Sequence, residues 1–591
     1  MSRQFRSRLL AVLLLLQLIV AVSAPTAANA SVGSADDRLI SAPTSWWTYT
    51  DVTPTQVTAY LSTHDARITD IQVTSSAPTF TVTMVRNTGA YNTGWWWYYG
   101  LSETQVNSQL VNNNARPINL SAYSTTGGVR YAVVMVSNTG TSQHASWWYH
   151  GSATFLNNKI TANSARLTQL SRYPGGGYVA IMVGNTGTDA RSWWWYHGVT
   201  ATAVNTAISM NSARLVDVSR NGDGTFNVVM YRDTGTRWYW YFDLSPAAAV
   251  AKANQLGERI IDATSYTTSG KPGVAVVMTE NLNALSQRLF DVISPAVDSG
   301  SYGFYLKQFG GKTLAGLQQT VPFEPAGTLA LLYHAKSIHE ESLGNTTDAT
   351  VVTYHYSSLS DPNDGSICPD DTGTTTTSNL KNADTLMMQN SDYRMSRGIL
   401  EKYTKTAVLK YANSLGMKST SINRNIGCPS SGTPNQSTLA DLGKMYEAFQ
   451  QGTVTSNATW QSQFKSRMLN DLNYSGFKAS ICPIVNQEAT ALGKSAAVAT
   501  SFCDAMSWLS KGGHYEYSST YPTKVSWSGI SLTGVPFKSA GVVSPRYYVF
   551  GEELDGTTVD TQSEADSIAA ARSKLYQEAL RGQIRAALAT W

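Results

Sequence analysis

The feature that most constrains the fold of this chain is a repeat with a period of 45 to 51 residues between residues 38 and 281. Each unit has a strand that opens with an arginine, an apolar strand with a methionine, usually an Asn/Asp-Thr-Gly turn, and then an aromatic strand. The arginines are Arg67, Arg116, Arg166, Arg214 and Arg259, and the methionines are Met84, Met135, Met182, Met230 and Met278. A repeat of this length is typical of solenoids and propellers, whose units bury their apolar faces against one another.

The two ends of the repeat region predict how it closes. Segments such as residues 201–208 have helical apolar spacing, so each unit should contain three strands and a short helix. No aromatic strand follows the last methionine strand, whereas the array begins with one at residues 45–49. Pairing that first strand with the last unit would complete a fifth unit and remove two exposed sheet edges. We therefore predict a closed, propeller-like, β-rich ring of about five units within residues 31–284.

The aromatic strands contain runs of tryptophan such as Trp95-Trp96-Trp97. Successive side chains of a strand point to opposite faces, so packing between units is the expected role of most of these rings. Where a ring stays exposed, contact with a glycan or a peptide is the alternative. An arginine in every unit indicates a structural contact between units rather than a unique site.

The N-terminus indicates export. Arg3, Arg6 and Arg8 precede an apolar run over residues 9–22, and Ala28-Asn29-Ala30 resembles a signal-peptide cleavage site. We predict a signal peptide over residues 1–30 and a secreted, extracellular protein. No later stretch approaches the roughly 20 apolar residues that a membrane span needs. The balance of 44 Lys and Arg against 40 Asp and Glu gives no reason to expect a nucleic-acid partner.

The chain has four cysteines, Cys368, Cys428, Cys482 and Cys503. An even number in an exported protein favours disulfide bonds, and four cysteines allow three pairings. Proximity in the sequence favours Cys368–Cys428 and Cys482–Cys503. We predict no metal site, since the cysteines lack Cys-x-x-Cys spacing and a nearby histidine pair.

The C-terminal half carries a series of landmarks in a fixed order. They are Phe-Glu-Pro-Ala-Gly-Thr-Leu-Ala at 323–330, Asn-Ser-Asp-Tyr at 390–393, Asn-Gln-Ser-Thr-Leu-Ala-Asp at 435–441 and Ser-Lys-Gly-Gly-His-Tyr at 510–515. In this order they resemble the serine β-lactamases and penicillin-binding proteins. The resemblance implies an α/β domain of that class over residues 285–591, with its reacting groups on the landmark segments.

When the chain is compared with that family, two of the catalytic positions hold residues without a reacting side chain. The family motif Ser-x-x-Lys supplies a nucleophile and a base, but this chain has Gly327 and Ala330 in those places. Neither residue can attack a carbonyl or accept a proton. Ser391 and Lys511 survive as the remaining candidates, while Tyr393 stands where the family has asparagine. No glutamate lies between residues 424 and 441, where the family keeps the base that activates the hydrolytic water.

Together, the repeat array and the C-terminal domain resemble the polyglycine hydrolases, which cut glycine-rich linkers. The leading prediction is a secreted, catalytically degenerate member that binds an extended or glycine-rich peptide without a cofactor. Its predicted substrate-binding residues are Ser391, Tyr393, Lys511, Gly512, Gly513 and His514. One alternative is an active serine hydrolase or endopeptidase that uses another nucleophile, such as Ser391. A second alternative is a lectin-like adhesion protein that binds through its tryptophans.

Overall fold

The computed structural model describes residues 37–40, 42–268, 270–356, 374–428, 432–469 and 471–591, with backbone only for Asp37, Thr141 and residues 471–474. The predicted signal peptide lies outside the described residues. The chain divides into two compact units between Asn281 and Leu282. Each unit is built around its own sheets and helices.

Within its described residues, the N-terminal unit repeats a strand–helix–strand–strand pattern five times. The strands are β1 (Trp46–Val52), β2 (Ala66–Val73), β3 (Phe80–Arg86), β4 (Trp95–Leu101), β5 (Ala115–Thr125), β6 (Gly128–Ser137), β7 (Ser146–Gly151), β8 (Ala165–Arg172), β9 (Tyr178–Gly184), β10 (Trp193–Val199), β11 (Ala213–Arg220), β12 (Phe226–Arg232), β13 (Trp238–Leu244), β14 (Glu258–Thr268) and β15 (Lys271–Glu280). The helices are α1 (Pro54–His64), α2 (Glu103–Asn112), α3 (Ala153–Ala162), α4 (Ala201–Asn211) and α5 (Pro246–Leu256). Each helix begins after a serine or threonine whose hydroxyl accepts a hydrogen bond from a backbone N–H of the first turn, which stabilises the helix start.

The strand order explains why every repeat contains a helix. The methionine strand lies in the middle of each three-stranded sheet, as in the order β1-β3-β2. It runs antiparallel to both neighbours, so the aromatic and arginine strands are parallel to each other. Parallel strands need a long crossover connection, which is usually helical. Helix α1 provides that crossover from β1 to β2.

The predicted pairing of the first strand with the last unit is wrong. Strand β1 pairs with β3, where Trp47 lies opposite Met84, and the fifth sheet is completed by β13, where Tyr239 lies opposite Met278. Each aromatic strand thus pairs with the methionine strand that follows it in the sequence.

The loop after the first methionine strand shows how the chain passes from one sheet to the next. Gly89 has a positive φ, at 60°, but the loop does not close a hairpin. The side chain of Asn87 instead donates to the carbonyl of Thr93 and accepts from its N–H, both at 3.1 Å. This closes a wider loop that leads the chain into the next sheet.

Each arginine strand has a β-bulge two residues after its arginine. The polar side chains that follow the bulges are buried, and we call these five residues the axial layer: Asp70, Asn119, Gln169, Asp217 and Asp262. Backbone N–H groups of adjacent arginine strands donate to four of them, from Ile71 to Asn119 (3.3 Å), Leu170 to Asp217 (2.8 Å), Val218 to Asp262 (2.8 Å) and Ala263 to Asp70 (2.9 Å). The last of these hydrogen bonds joins the fifth arginine strand to the first.

The repeated arginines and tryptophans contribute to packing between repeats. Arg166 is buried, and its guanidinium lies 5.1 Å from the ring centre of Tyr231 in the next repeat. The hydroxyl of Tyr231 donates to the carbonyl of Leu167 at 3.1 Å. The indole N–H of Trp148 donates to Asn107 of the preceding repeat at 2.9 Å.

The C-terminal unit combines one main sheet with helices on both faces. Its strands are β16 (Ser301–Gln308), β17 (Thr313–Leu317), β18 (Val351–Tyr356), β19 (Thr374–Asn379), β20 (Ser507–Glu516), β21 (Thr523–Ser539) and β22 (Val542–Val559). Its helices are α6 (Ala284–Ile293), α7 (Ala330–Ser342), α8 (Leu380–Gln389), α9 (Tyr393–Tyr403), α10 (Lys405–Ser414), α11 (Leu439–Gln450), α12 (Ala458–Met468), α13 (Asp471–Ala491), α14 (Ala496–Ala505) and α15 (Gln562–Leu588). The main sheet is antiparallel, in the order β17-β16-β22-β21-β20.

Neighbouring residues of β22 show how the two faces are covered. The ring of Phe550 lies 5.3 Å from that of Tyr576 in α15. Val549 points to the other face, where it joins a core with Leu331 of α7 and Leu442 of α11. Strand β20 forms one edge of the sheet.

A disulfide joins Cys482 in α13 to Cys503 in α14, with Cα atoms 5.8 Å apart. This is one of the two pairings that sequence proximity favoured. Cys428 is also disulfide-bonded, but its predicted partner, Cys368, lies outside the described residues.

Candidate functional site

The segment that resembles the family's nucleophile motif lies between the main sheet and α7. Phe323 exchanges backbone hydrogen bonds with Ser437, and residues Ala326–Leu329 form a 3₁₀ turn that continues into α7. Ala326 has φ of 47°, a conformation that costs roughly 1–3 kcal/mol for a residue with a side chain. Backbone strain of this kind persists where surrounding contacts determine the conformation.

Glu324 supplies part of that support. One of its carboxylate oxygens accepts a hydrogen bond from the backbone N–H of Ala326 at 3.2 Å. The other forms a buried ion pair with Arg424 at 2.8 Å. Burial raises the pKa of Glu324, and the guanidinium of Arg424 opposes that increase. The ion pair thus ties the strained turn to the segment that contains Arg424.

The structure places Gly327 and Ala330 one helical turn apart, and both are buried. A Cβ atom added to Gly327 would lie 3.3 Å from the carbonyl oxygen of Gly512 and 3.4 Å from Tyr393 Cε1. Gly327 therefore faces strand β20 and lies close to the ring of Tyr393. Neither Gly327 nor Ala330 offers a reacting group.

Strand β20 contributes the charged group of the site. Lys511, Gly513 and Tyr515 alternate along the strand and share a face. The Lys511 ammonium is buried and donates to Ser391 Oγ at 2.6 Å and to the carbonyls of Met387 and Met388 at 3.2 and 3.4 Å. Burial lowers the pKa of Lys511 to about 8. A lysine in this state can lose its proton under mildly basic conditions.

Ser391 and Tyr393 lie at the junction of α8 and α9. Ser391 has a left-handed φ of 54°, which turns its hydroxyl toward Lys511. Asp392 caps α9 by accepting from the backbone N–H groups of Arg394 and Met395 at 3.0 and 3.3 Å. The ring of Tyr393 packs against Gly427, where a Cβ atom would lie only 2.4 Å from Tyr393 Cδ2.

Two further residues of the site were missed from the sequence, Tyr515 and Arg424. The Tyr515 hydroxyl accepts from the N–H of Gly427 at 2.9 Å, and its ring lies 6.5 Å from that of Tyr393. Strand periodicity could have identified Tyr515, since it lies four residues after Lys511. The sequence offered no comparable signal for Arg424, because its partner Glu324 lies 100 residues earlier.

His514 stands apart from the other predicted binding residues. It alternates with Gly513 and Tyr515, and its ring is exposed and lies 5.0 Å from that of Trp527. Its imidazole lies 3.5 Å from the carboxylate of Glu516. The structure therefore places Tyr393, Gly512 and Gly513 next to Gly327 and joins Lys511 of the same strand to Ser391, while His514 lies on the other face of β20.

Part of the chain is similar to known proteins. Residues 266–506 match the sequence model of the β-lactamase enzyme family. Solved structures that match include a β-lactamase from Chitinophaga pinensis (12% identity, 50% of this chain and 99% of that chain, TM-score 0.37) and one from Xanthomonas campestris (14%, 50% and 98%, 0.36). A class A β-lactamase from Bacteroides cellulosilyticus also matches (13%, 50% and 97%, 0.37). No curated protein sequence matches significantly.

The C-terminal part of the chain therefore contains a β-lactamase-like domain with the serine hydrolase fold of that family. Within the described residues, the structure has no helix long and apolar enough to cross a membrane.

Proposed function

We propose that this chain is a secreted β-lactamase-like protein that has lost acylation chemistry and binds an extended, preferably glycine-rich peptide. The observation that carries the proposal is the pair Gly327 and Ala330. Both lie where the family's nucleophile and base would be, and both are buried without a reacting side chain. Losing these two groups removes transition-state chemistry but leaves ground-state binding surfaces in place.

The edge of the main sheet supports the peptide part of the proposal. In the described sheet, β20 pairs with β21 only. The outer N–H and C=O groups of an edge strand can accept an added peptide strand. Gly512 and Gly513 lie on this strand without side chains, and Lys511 adds positive charge beside them. A peptide rich in glycine would approach such an edge with few steric conflicts.

A binding measurement tests this proposal. We expect a fluorescein-labelled peptide with a run of eight glycines to bind saturably, with a Kd of roughly 10–100 µM. Fluorescence anisotropy would measure the Kd, and mass spectrometry would show that the peptide stays intact. The Lys511→Met variant should bind at least about fivefold more weakly, because the charge beside the strand is lost.

Lys524→Met is the matched control, since Lys524 is exposed on the neighbouring strand β21. It should bind as the unmodified protein does. The proposal fails if the glycine peptide shows no saturable binding, or if Lys511→Met binds as tightly as Lys524→Met. Equal binding of a peptide with valines in place of alternate glycines would remove the preference for glycine.

A second function, serine hydrolysis through Ser391, is favoured by one observation. The hydroxyl of Ser391 and the ammonium of Lys511 are 2.6 Å apart, and the pKa of Lys511 is lowered to about 8. A neutral lysine at this distance could accept the serine proton as the oxygen attacks an acyl or phosphoryl group. The reaction would therefore require the deprotonated form of Lys511.

Labelling with a fluorophosphonate tests this second function. Attack by Ser391 Oγ would form a P–O bond, release fluoride and transfer the proton to Lys511. If the pair is reactive, the labelling rate should increase roughly tenfold between pH 7 and pH 9 as Lys511 loses its proton. Intact-mass spectrometry would follow the adduct. Ser391→Ala should abolish it, whereas Ser510→Ala should not, and no adduct at either pH would exclude this function.

The N-terminal unit is proposed to be a closed, propeller-like ring. The hydrogen bond between Ala263 and Asp70 supports closure, because it connects the fifth arginine strand with the first. The backbone N–H of Ser265 donates to Gln72 at 2.6 Å in the same pair of strands. Secretion is proposed on the basis of the sequence pattern at residues 1–30, and the disulfide between Cys482 and Cys503 is consistent with it.

A further inference from the structure

The β-bulges of the N-terminal unit free a set of backbone carbonyls. At each bulge one residue of the arginine strand has no partner in the strand ladder. Those residues are Thr69, Ile118, Thr168, Val216 and Ile261, and each directly precedes a residue of the axial layer. Buried carbonyls outside the ladder need hydrogen-bond donors from elsewhere.

The side chain of Arg38 supplies such donors to three different repeats. One nitrogen of its guanidinium donates to the carbonyls of Thr168 and Val216, the latter at 3.0 Å, and to Asp217 Oδ1 at 3.1 Å. The other terminal nitrogen donates to the carbonyl of Ile118 at 3.4 Å. Arg38 is buried, although it lies on a short segment before the first strand of the array.

The axial layer contains three carboxyl groups that interact electrostatically with the single guanidinium of Arg38. Asp70, Asp217 and Asp262 are all buried. Burial raises the pKa of Asp70 to about 6 and raises the pKa of Asp217 and Asp262 strongly, while Arg38 opposes the shift in all three. A cavity of about 140 Å³ is lined by the axial layer. Gln169 Oε1 belongs to this layer, is buried and makes no hydrogen bond with the described residues.

We infer that the axial layer and the bulge carbonyls form a guanidinium-binding site, which the chain fills with its own Arg38. The acceptors come from separate strands and converge on one planar cation. A guanidinium has five N–H donors in a fixed plane, whereas an ammonium is a compact group with three donors. The guanidinium of Arg38 donates to several acceptors at once, namely the carbonyls of Ile118, Thr168 and Val216 and the carboxylate of Asp217.

The segment that carries Arg38 is held by further contacts. The hydroxyl of Tyr91 donates to the carbonyls of Ile40 and Ala42 at 3.0 and 2.7 Å. Arg259 donates to the carbonyl of Ile40 at 2.7 Å. Leu39 packs with the buried residues around Leu167 and Trp195. The segment therefore joins several repeats, and removal of the Arg38 side chain alone would leave these backbone contacts in place.

Chemical rescue of a variant tests the inference. In the full chain, Arg38→Ala should lower the midpoint of thermal unfolding by roughly 5–10 °C, because buried carboxyl and carbonyl groups lose their partner. Tryptophan fluorescence is the readout, since twelve of the sixteen tryptophans precede residue 282. Methylguanidine at about 10 mM should bind the vacated site and raise the midpoint of the variant by roughly 2 °C or more.

Two controls separate binding from general solvent effects. Urea is a neutral planar analogue of guanidinium, and at the same concentration it should not raise the midpoint. Arg86→Ala removes an exposed arginine at the end of β3. It should unfold near the midpoint of the unmodified protein and should not respond to methylguanidine.

Three results would overturn the inference. They are an unchanged midpoint for Arg38→Ala, a lowered midpoint that methylguanidine does not raise, and an equal response to methylguanidine and urea. If Arg38→Ala does not fold, the yield of refolded protein with and without methylguanidine replaces the midpoint, and no gain in yield counts against the site. Arg38→Lys retains the positive charge but lacks the planar set of N–H donors. Its unfolding midpoint should therefore lie between those of Arg38→Ala and the unmodified protein.

Discussion

Replacing Gly513 with alanine is expected to destabilise the C-terminal unit by more than about 3 kcal/mol, or to prevent its folding. The added Cβ atom would lie 2.4 Å from the backbone nitrogen of Gly327, 2.6 Å from that of Thr328 and 2.7 Å from the carbonyl oxygen of Pro325. All three neighbours are backbone atoms, so no side chain can rotate away to relieve the overlap. Thermal and urea unfolding followed by circular dichroism would measure the loss.

The adjacent Gly512 provides a matched control. A Cβ atom there would lie 3.7 Å from the carbonyl oxygen of Ser528, at ordinary contact distance. Gly512→Ala should therefore change the unfolding free energy by less than about 1 kcal/mol. Similar effects of the two substitutions would contradict the close approach of Gly513 to the backbone of Gly327 and Thr328.

Replacing Arg467 with methionine is expected to cost about 3–5 kcal/mol of stability. Arg467 is buried and forms ion pairs with Glu341 at 2.7 Å, with Asp384 at 3.1 Å and with Asp348 at 2.7 Å. His334 contacts the same Asp384 carboxylate at 2.7 Å. A methionine would fill much of the volume but leave the buried carboxylates without their cation.

The pH dependence of this loss distinguishes charge from packing. Burial raises the pKa of Glu341, and the guanidinium of Arg467 opposes that shift, so the variant should have a still higher pKa. A carboxyl whose pKa is higher in the folded than in the unfolded state loses stability as the pH rises between the two values. The deficit relative to the unmodified protein should thus be larger at pH 8 than at pH 5.

Arg397→Ala is the control for Arg467→Met. Arg397 pairs with Glu401 one helical turn away, and the Glu401 side chain is 45% exposed. Such a surface pair contributes roughly 0.3–0.5 kcal/mol, so little change is expected at either pH. If the stability lost in Arg467→Met is the same at both pH values, the loss is due to packing alone.

In the repeat array, the strands were predicted correctly from the sequence, but the pairing of the first strand was not. The arginine, methionine and aromatic segments are strands as predicted, because alternation and β-branched content are local properties. The predicted pairing of the first aromatic strand with the last unit failed, because the loop in which Asn87 bonds to Thr93 leads the chain into another sheet. Strand pairing depends on contacts between distant residues, which local turn chemistry does not specify.

The candidate site was likewise only partly predictable from the sequence. The landmarks around Gly327, Ser391 and Lys511 could be located because each is a short motif with a recognisable order. Their closeness was expected only from the resemblance to a family, and no motif predicted the contact of Tyr515 with Gly427 or the Glu324–Arg424 ion pair. These contacts join segments far apart in the chain.

The sequence alone determined which residues stand at positions 327 and 330 and which segments form the elements of the fold. A glycine at 327 and an alanine at 330 have no reacting groups in any fold, and the amphipathic periods are properties of neighbouring residues. Only the tertiary structure decided that Tyr393 lies close to Gly327, that burial lowers the pKa of Lys511, and that Arg38 reaches carbonyls of three repeats. Burial and long-range hydrogen bonds exist only once the strands have paired.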